Sequence, residues 1–337
     1  MGIYRAAMMF IIAVSLFVCH AALVSTAVAG DAEGCAITIK NDIHIAPAAE
    51  LATTKGYPDI VILENSLIEV SSVPNRGRLI FDYVFKPTGH SQFWTNTSPM
   101  PTKTEQGYFL EFGGYYTSYP WNPRSNQPYD LEYDVVKKSP RECGIRIYKT
   151  GLESGVDFET LLSVKENDPS VYVKIKLTNV GKEEKTMDFS DKAVVCLGEE
   201  MKDEMEIVLP QGVKEVTIGK SADGWMGSEA EAVSWPQPWQ KWGEFKGDGH
   251  FRLNLKGVKD HMAKVHDPGS KVSFVKEWSA KTRFQRGEIS SWGPAYEDVF
   301  GAHPGIVITN VAEGLVIPPG QSKILEIKFY VQTGEGP

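Results

Sequence analysis

The chain has 337 residues, with 35 Lys and Arg against 43 Asp and Glu, and a formal net charge of −8. No basic surplus exists to neutralise phosphates, which argues against a nucleic-acid partner or an anionic membrane surface. The length accommodates one large β domain as readily as two smaller ones.

Residues 1–29 read as a signal peptide. Arg5 gives a small positive start, Met8 to Leu23 is almost wholly apolar, and Ala27-Val28-Ala29 places small residues where a signal peptidase cuts. A retained membrane anchor is the alternative, since the apolar stretch nearly reaches spanning length. Cleavage predicts a periplasmic or extracellular protein with no membrane segment. Cys35, Cys143 and Cys196 then remain, and their separations fit no metal knuckle or CxxC redox pair. One disulfide suits an exported protein, either Cys35 with Cys143 or Cys143 with Cys196, and a lone buried thiol is an equal alternative.

Residues 30–57 are expected to be an N-terminal arm, with Cys35 to Ile39 as an edge strand. From residue 58 to the C-terminus the grammar is that of one β domain. Ile60 to Gly89 contains short Ile- and Val-rich runs separated by Glu64-Asn65, Pro74-Asn75-Arg76-Gly77 and Lys86-Pro87-Thr88-Gly89. Such runs are strands of a meander, with Ile68, Val70 and Ser72 on one face. Residues 91–129 are rich in aromatics and proline, and Pro120, Pro123 and Pro128 exclude a regular strand through Phe112 to Tyr129. Tyr116, Tyr119 and Trp121 offer flat apolar faces with polar handles, suited either to stacking on a sugar or to capping the core.

Strand grammar returns at Gly144 to Tyr148 and Val156 to Val164. The cleanest alternation follows, with Val171, Val173, Ile175 and Leu177 separated by Tyr172, Lys174 and Lys176. The acidic run Glu199 to Glu206 lacks calcium-loop spacing and reads as a solvated edge. A second aromatic, proline-broken stretch holds Trp225, Trp235, Trp239 and Trp242, half of the chain's eight tryptophans. Strands resume at Phe251 to Leu255 and Val272 to Trp278. No Gly-rich phosphate loop, H-E-x-x-H helix or G-x-S-x-G elbow occurs.

Three segments carry a resemblance. Leu63-Glu64-Asn65 followed by a short strand, Pro74-Asn75-Arg76-Gly77-Arg78-Leu79 and a further strand ending in Thr88-Gly89 is the first. Val171 to Thr178 with Asn179-Val180-Gly181 is the second, and Pro318-Pro319-Gly320 leading into Ile324 to Val331 is the third. Together they resemble the galactose mutarotase-like (aldose 1-epimerase-like) β-sandwich superfamily, particularly its secreted relatives, across most of the chain after residue 29. The resemblance implies an all-β fold, a large antiparallel β-supersandwich. It also implies a mono- or oligosaccharide partner and no cofactor. Gly113 to Pro120 is similar to the family's glycine-and-aromatic turn beside the cleft, which favours Tyr116, Tyr119 and Trp121 as ligand contacts.

Family members place a histidine just after the middle T-N-x-G segment and a carboxylate on the strand entering the final P-G turn. Here those stretches are Met187 to Ala193, without histidine, and Ile306 to Asn310, without a carboxylate. The usual catalytic pair is unmatched. Remaining candidates for chemistry are Arg283, Glu297, Asp298 and His303, with Trp225, Trp239 and Trp292 as further ligand contacts. No metal site is expected. Three functions stand open: an exported carbohydrate-binding protein, a sugar epimerase or polysaccharide lyase using Glu297, Asp298 or His303, and a non-catalytic interaction module. A lyase would use Arg283 to neutralise a uronate carboxylate.

Overall fold

A computed structural model describes residues 34–41, 59–96, 102–104, 107–109, 111–122, 127–128, 130–210, 213–221, 228–237, 240–244, 251–256, 262–279, 286–291 and 305–334. The opening meander comprises β1 (Ala36–Lys40), β2 (Ile60–Glu64), β3 (Ile68–Val73), β4 (Arg78–Phe85) and the short β5 (His90–Ser91). Strands β6 (Thr102–Thr104) and β7 (Gly107–Phe109) pair with each other. The short β8 (Tyr115–Thr117) joins the main sheet, and β9 (Trp121–Asn122) pairs with β10 (Gln127–Pro128).

Consecutive hairpins follow as β11 (Glu132–Ser139), β12 (Glu142–Lys149), β13 (Val156–Lys165) and β14 (Ser170–Asn179). After β15 (Lys185–Val195) come β16 (Glu206–Val208), β17 (Glu215–Ser221) and β18 (Ala232–Ser234). Then β19 (Phe251–Lys256), β20 (Met262–Asp267), β21 (Val272–Trp278) and β22 (Arg286–Ser291) lead into the last pair. That pair is β23 (Ile306–Ile317) and β24 (Ser322–Thr333).

These strands build two antiparallel sheets. One has twelve strands in the order β1-β2-β3-β4-β8-β15-β23-β22-β19-β17-β18, with β5 beside β4. The other has eight, in the order β11-β12-β13-β14-β24-β21-β20-β16. The period-two reading of β14 holds: Val171, Val173, Ile175 and Leu177 are at most 2% exposed and point at the other sheet. Burying each such side chain stabilises by roughly 1.5–3 kcal/mol. Ile68, Val70 and Ser72 likewise share a wholly buried face. The centre of the core is aromatic, with Phe93, Phe274 and Phe329 mutually in contact at centroid distances of 5.3–5.9 Å.

Two asparagines from the resemblance motifs tie the sheets at their ends. Asn65 Nδ2 donates to the Lys165 and Asp168 carbonyls at 2.5 and 2.8 Å, while its Oδ1 accepts from the Leu67 and Ile68 N–H groups. Asn179 Nδ2 donates to the Ile317 and Glu183 carbonyls at 2.7 and 2.8 Å. Each side chain satisfies several buried backbone groups at once, which is why an amide is required there. Both asparagines thus hold the sheets together.

The bridge forms between Cys35 and Cys143, resolving the choice left open by sequence, and Cys196 is a buried free thiol. It links the residue preceding β1, the outermost strand of the larger sheet, to β12 of the smaller. The described part of the N-terminal arm is thus a strand paired with β2 from Ala36↔Glu64 to Lys40↔Ile60. The described residues of the 112–129 segment hold three short strands in place of one regular one: Pro128, expected to exclude a strand, lies in β10 opposite Trp121, and Tyr115–Thr117 enters the middle of the large sheet between β4 and β15.

Candidate functional site

Alternation along β15 sends Phe189, Asp191, Ala193 and Val195 into the inter-sheet core. Lys192, Val194 and Cys196 therefore emerge on the outer face of the twelve-stranded sheet. Cross-strand partners share a face, so the register extends this row across five strands. Tyr116 of β8 lies opposite Lys192, Lys192 opposite Thr309 of β23, Thr309 opposite Glu288 of β22, and Glu288 opposite Asn254 of β19. With neighbouring strands about 4.8 Å apart, Lys192 and Glu288 flank Thr309 on either side. An apolar cluster of Trp94, Tyr116, Val194, Cys196 and Val307 borders the row.

One end of the row rests on a buried ion pair. Arg78 and Glu111 are wholly inaccessible, with Nη2 3.4 Å from Oε1. Glu111 also accepts from the Gly113 N–H at 2.8 Å and the Tyr116 hydroxyl at 2.9 Å. The Arg78 guanidinium stands 4.1 Å from the Tyr116 ring centroid and 5.5 Å from that of Phe112. Burial, reinforced by Glu111, pushes the Tyr116 hydroxyl well above its ordinary range, so it stays a donor. Gly113 and Gly114 both have positive φ, at 73° and 70°, and a Cβ at Gly113 would collide with the Trp94 carbonyl. Only glycine allows this close approach, which seats Glu111 and Tyr116 against Trp94.

Across the row, Arg252 Nε lies 3.5 Å from Glu288 Oε2. Lys192 lies between the two ion pairs, with Nζ 6.0 Å from the Tyr116 ring centroid. Desolvation lowers its pKa from the ordinary lysine range; Arg252 and Arg78 act in the same direction, and Glu111 and Glu288 oppose them. The outer face thus carries a partly desolvated ammonium, a carboxylate two strands away and a hydroxyl between them, while Tyr116, Trp94, Thr309 and Glu288 are themselves buried, at 3–7% exposure. Such a set can hydrogen-bond polar groups, and its lysine can exchange a proton. No group of three or more His, Cys, Asp or Glu side chains suited to a metal occurs among the described residues.

Of the residues singled out by sequence, the structure brings Tyr116 to this row. Tyr119 turns to the edge of the inner core, its hydroxyl bonded to Ser154 Oγ at 2.6 Å and to the Val156 carbonyl, and its ring edge-on to Phe158. Trp121 is half-buried in β9. Trp225, Trp239, Arg283, Trp292, Glu297, Asp298 and His303 lie outside the described residues. Sequence reasoning missed Lys192, Glu288, Arg78, Glu111 and Arg252. Lys192 sits in the stretch where the resemblance places a histidine, and Glu288 stands in register beside Thr309, one strand from where the resemblance places a carboxylate.

A groove of about 650 Å³ crosses the outer face of the other sheet, lined in part by Leu161, Ser163, Tyr172, Trp278, Glu326 and Lys328. Its charges engage one another: Lys174 pairs with Glu326 at 3.8 Å, and Lys165 Nζ lies 4.3 Å from the Tyr172 ring centroid. That pattern is a solvated strand surface, whereas the opposite face carries buried charge. The buried charge is the better mark of a site.

No family model and no curated protein matches the sequence. Solved structures do. The chain is similar over 90% of its length to a TPR-domain-containing protein from Parabacteroides distasonis, at 12% identity and a TM-score of 0.69, and spans 56% of that protein. It is also similar to a galactose mutarotase-like protein from Clostridium acetobutylicum, at 11% identity and a TM-score of 0.55, covering 88% of this chain and 99% of that one. The fold is galactose mutarotase-like. A galactose mutarotase-related enzyme from Lactobacillus acidophilus gives a TM-score of 0.54 at 11% identity, covering 82% and 98%. Identities this low speak for the fold alone, and chemistry has to be argued from the site.

Proposed function

We propose that the protein is an exported carbohydrate-binding protein whose ligand lies on the outer face of the twelve-stranded sheet. The observation that carries this reading is the in-register row Tyr116–Lys192–Thr309–Glu288–Asn254 beside Trp94. Sugars present hydroxyls in a plane and C–H patches on their faces, which a polar strand row with an aromatic border complements. Export fits the Cys35–Cys143 bridge, since disulfides persist in oxidising compartments. Among the described residues, no helix is long and apolar enough to cross a membrane.

A second reading is an epimerase or lyase on the same face. Lys192 favours it, because a lysine whose pKa is lowered by desolvation supplies more of the neutral base. Glu297, Asp298, His303 and Arg283 remain candidates to complete such a site, and Trp225, Trp239 and Trp292 to line it. The test is a glycan-binding screen on the mature protein, with product detection for every glycan bound. The expected result is saturable binding that Glu288→Gln weakens without lowering the melting temperature. Absence of binding to any glycan would overturn the proposal. Turnover abolished by Lys192→Gln would establish the enzymatic reading.

A further inference from the structure

We propose that the sugar is anionic, with its carboxylate or phosphate group seated on Lys192. This deepens the carbohydrate reading and rests on it. The argument is one of charge balance on a partly buried face. Arg78 is matched by Glu111 at 3.4 Å, and Arg252 by Glu288 at 3.5 Å. Among the described residues Lys192 lies between these pairs as a third cation, and its Nζ has no ion pair or hydrogen bond. Its recorded contact is the Tyr116 ring, 6.0 Å from Nζ to centroid.

Neither carboxylate is well placed to serve Lys192 instead. Glu111 already accepts three bonds, from Arg78 and the Gly113 N–H on Oε1 and from the Tyr116 hydroxyl on Oε2, and makes none to Lys192. Glu288 is held by Arg252 on the far side of Thr309. Glu111 and Glu288 favour the Lys192 charge from a distance without bonding to it, and a ligand anion would supply the charge-assisted hydrogen bond that its Nζ lacks. A neutral sugar would supply no such charge. Desolvation by the surrounding face acts on Lys192 accordingly, lowering its pKa. The overall acidity of the chain does not oppose this, because recognition depends on the local cleft and not on the total.

The test is calorimetric titration of the full mature protein with matched probes: galacturonate against galactose, glucuronate against glucose, and glucose 6-phosphate against glucose. The expected result is that one acidic probe binds about tenfold or more tightly than its neutral parent, as a charge-assisted bond implies. Which acidic probe wins separates a carboxylate ligand from a phosphate ligand. Lys192→Met should abolish the preference while retaining the wild-type melting temperature. Equal affinity for acidic and neutral partners, or a preference that survives Lys192→Met, would overturn the anionic ligand and leave the carbohydrate reading intact. Failure of every probe and of the wider glycan screen would overturn both. Should Lys192→Met not fold, wild-type protein decides the matter: the acidic preference must shrink as salt is raised, and a preference indifferent to salt refutes the proposal.

Discussion

Lys276 Nζ of the eight-stranded sheet lies 2.7 Å from Asp191 Oδ1 of the twelve-stranded sheet, and both side chains are wholly buried. The pair is embedded in further bonds. Lys276 donates to the Ile308 carbonyl at 2.8 Å, and Asp191 accepts from the Asn310 N–H at 2.9 Å and the Tyr115 hydroxyl at 3.1 Å. Asp191 immediately precedes Lys192, so this network anchors the strand that carries the candidate site. Burial pulls the Lys276 pKa down, and Asp191 acts to hold it up.

Lys276→Met should therefore be severely destabilising, by about 3–5 kcal/mol, because it leaves the Asp191 carboxylate buried without its cation. The double variant Asp191→Asn/Lys276→Met should recover part of that loss, since a neutral amide can still accept from Asn310. Urea denaturation of both variants checks this. A Lys276→Met protein as stable as wild type would show that the pair does not tie the sheets.

Neighbouring positions on β14 should respond in opposite ways. Val173 is 2% exposed in the core, and Lys174 stands on the outer surface 3.8 Å from Glu326. Val173→Asp should unfold the protein or remove several kcal/mol, whereas Lys174→Gln should cost about 0–1 kcal/mol. Thermal melts of the two variants read the register directly. Similar melting temperatures would mean that the strand faces are misassigned.

Thiol titration should return a defined pattern. Burial pushes the Cys196 thiol up to about 12, with Glu200 adding to the shift, so it has almost no thiolate at neutral pH. Native mature protein should not react with an alkylating reagent. Denatured protein should take up one equivalent at Cys196, and reduction should expose Cys35 and Cys143 as well. Rapid alkylation of the native state would contradict the buried placement.

Acid stability should depend on Asp267. Burial at the β20–β21 turn acts to raise its pKa, but bonds from Ser270 at 2.7 Å and Lys202 at 2.9 Å prevail and hold it below the ordinary range. The folded value is then below the unfolded one. The stability it contributes is fully present above the unfolded carboxylate pKa and is lost as pH falls through the folded value. Asp267→Asn should cost about 1–3 kcal/mol at neutral pH and flatten the acid limb of the stability curve. Parallel acid limbs for variant and wild type would rule this out.

The strands were readable where their pattern was local. Val171 to Leu177 alternates strictly, and Ile60 to Phe85 is broken by turn residues at each bend, so both fix a face without reference to the rest of the chain. The candidate row is different in kind. Tyr116, Lys192, Thr309 and Glu288 meet because β8, β15, β23 and β22 lie side by side, in an order unlike their order along the chain. Each is an ordinary surface-type residue by itself, and only the register makes them neighbours. Lys192 carries no local signal for that reason. Arg78 was in view within the Gly77-Arg78-Leu79 motif, but its partner Glu111 is 33 positions away, beyond any local pattern.

The Cys35–Cys143 bridge closes a covalent ring around the opening meander and the aromatic segment that follows it. A protease cutting once within that ring, for example between Asn96 and Glu111, would not divide the protein into separable pieces. The cut chain would keep its mass on a non-reducing gel and fall into two fragments only with reductant. Such a cut would therefore leave strands β1 to β5 tethered to the remainder through Cys143, long enough to refold around the cut.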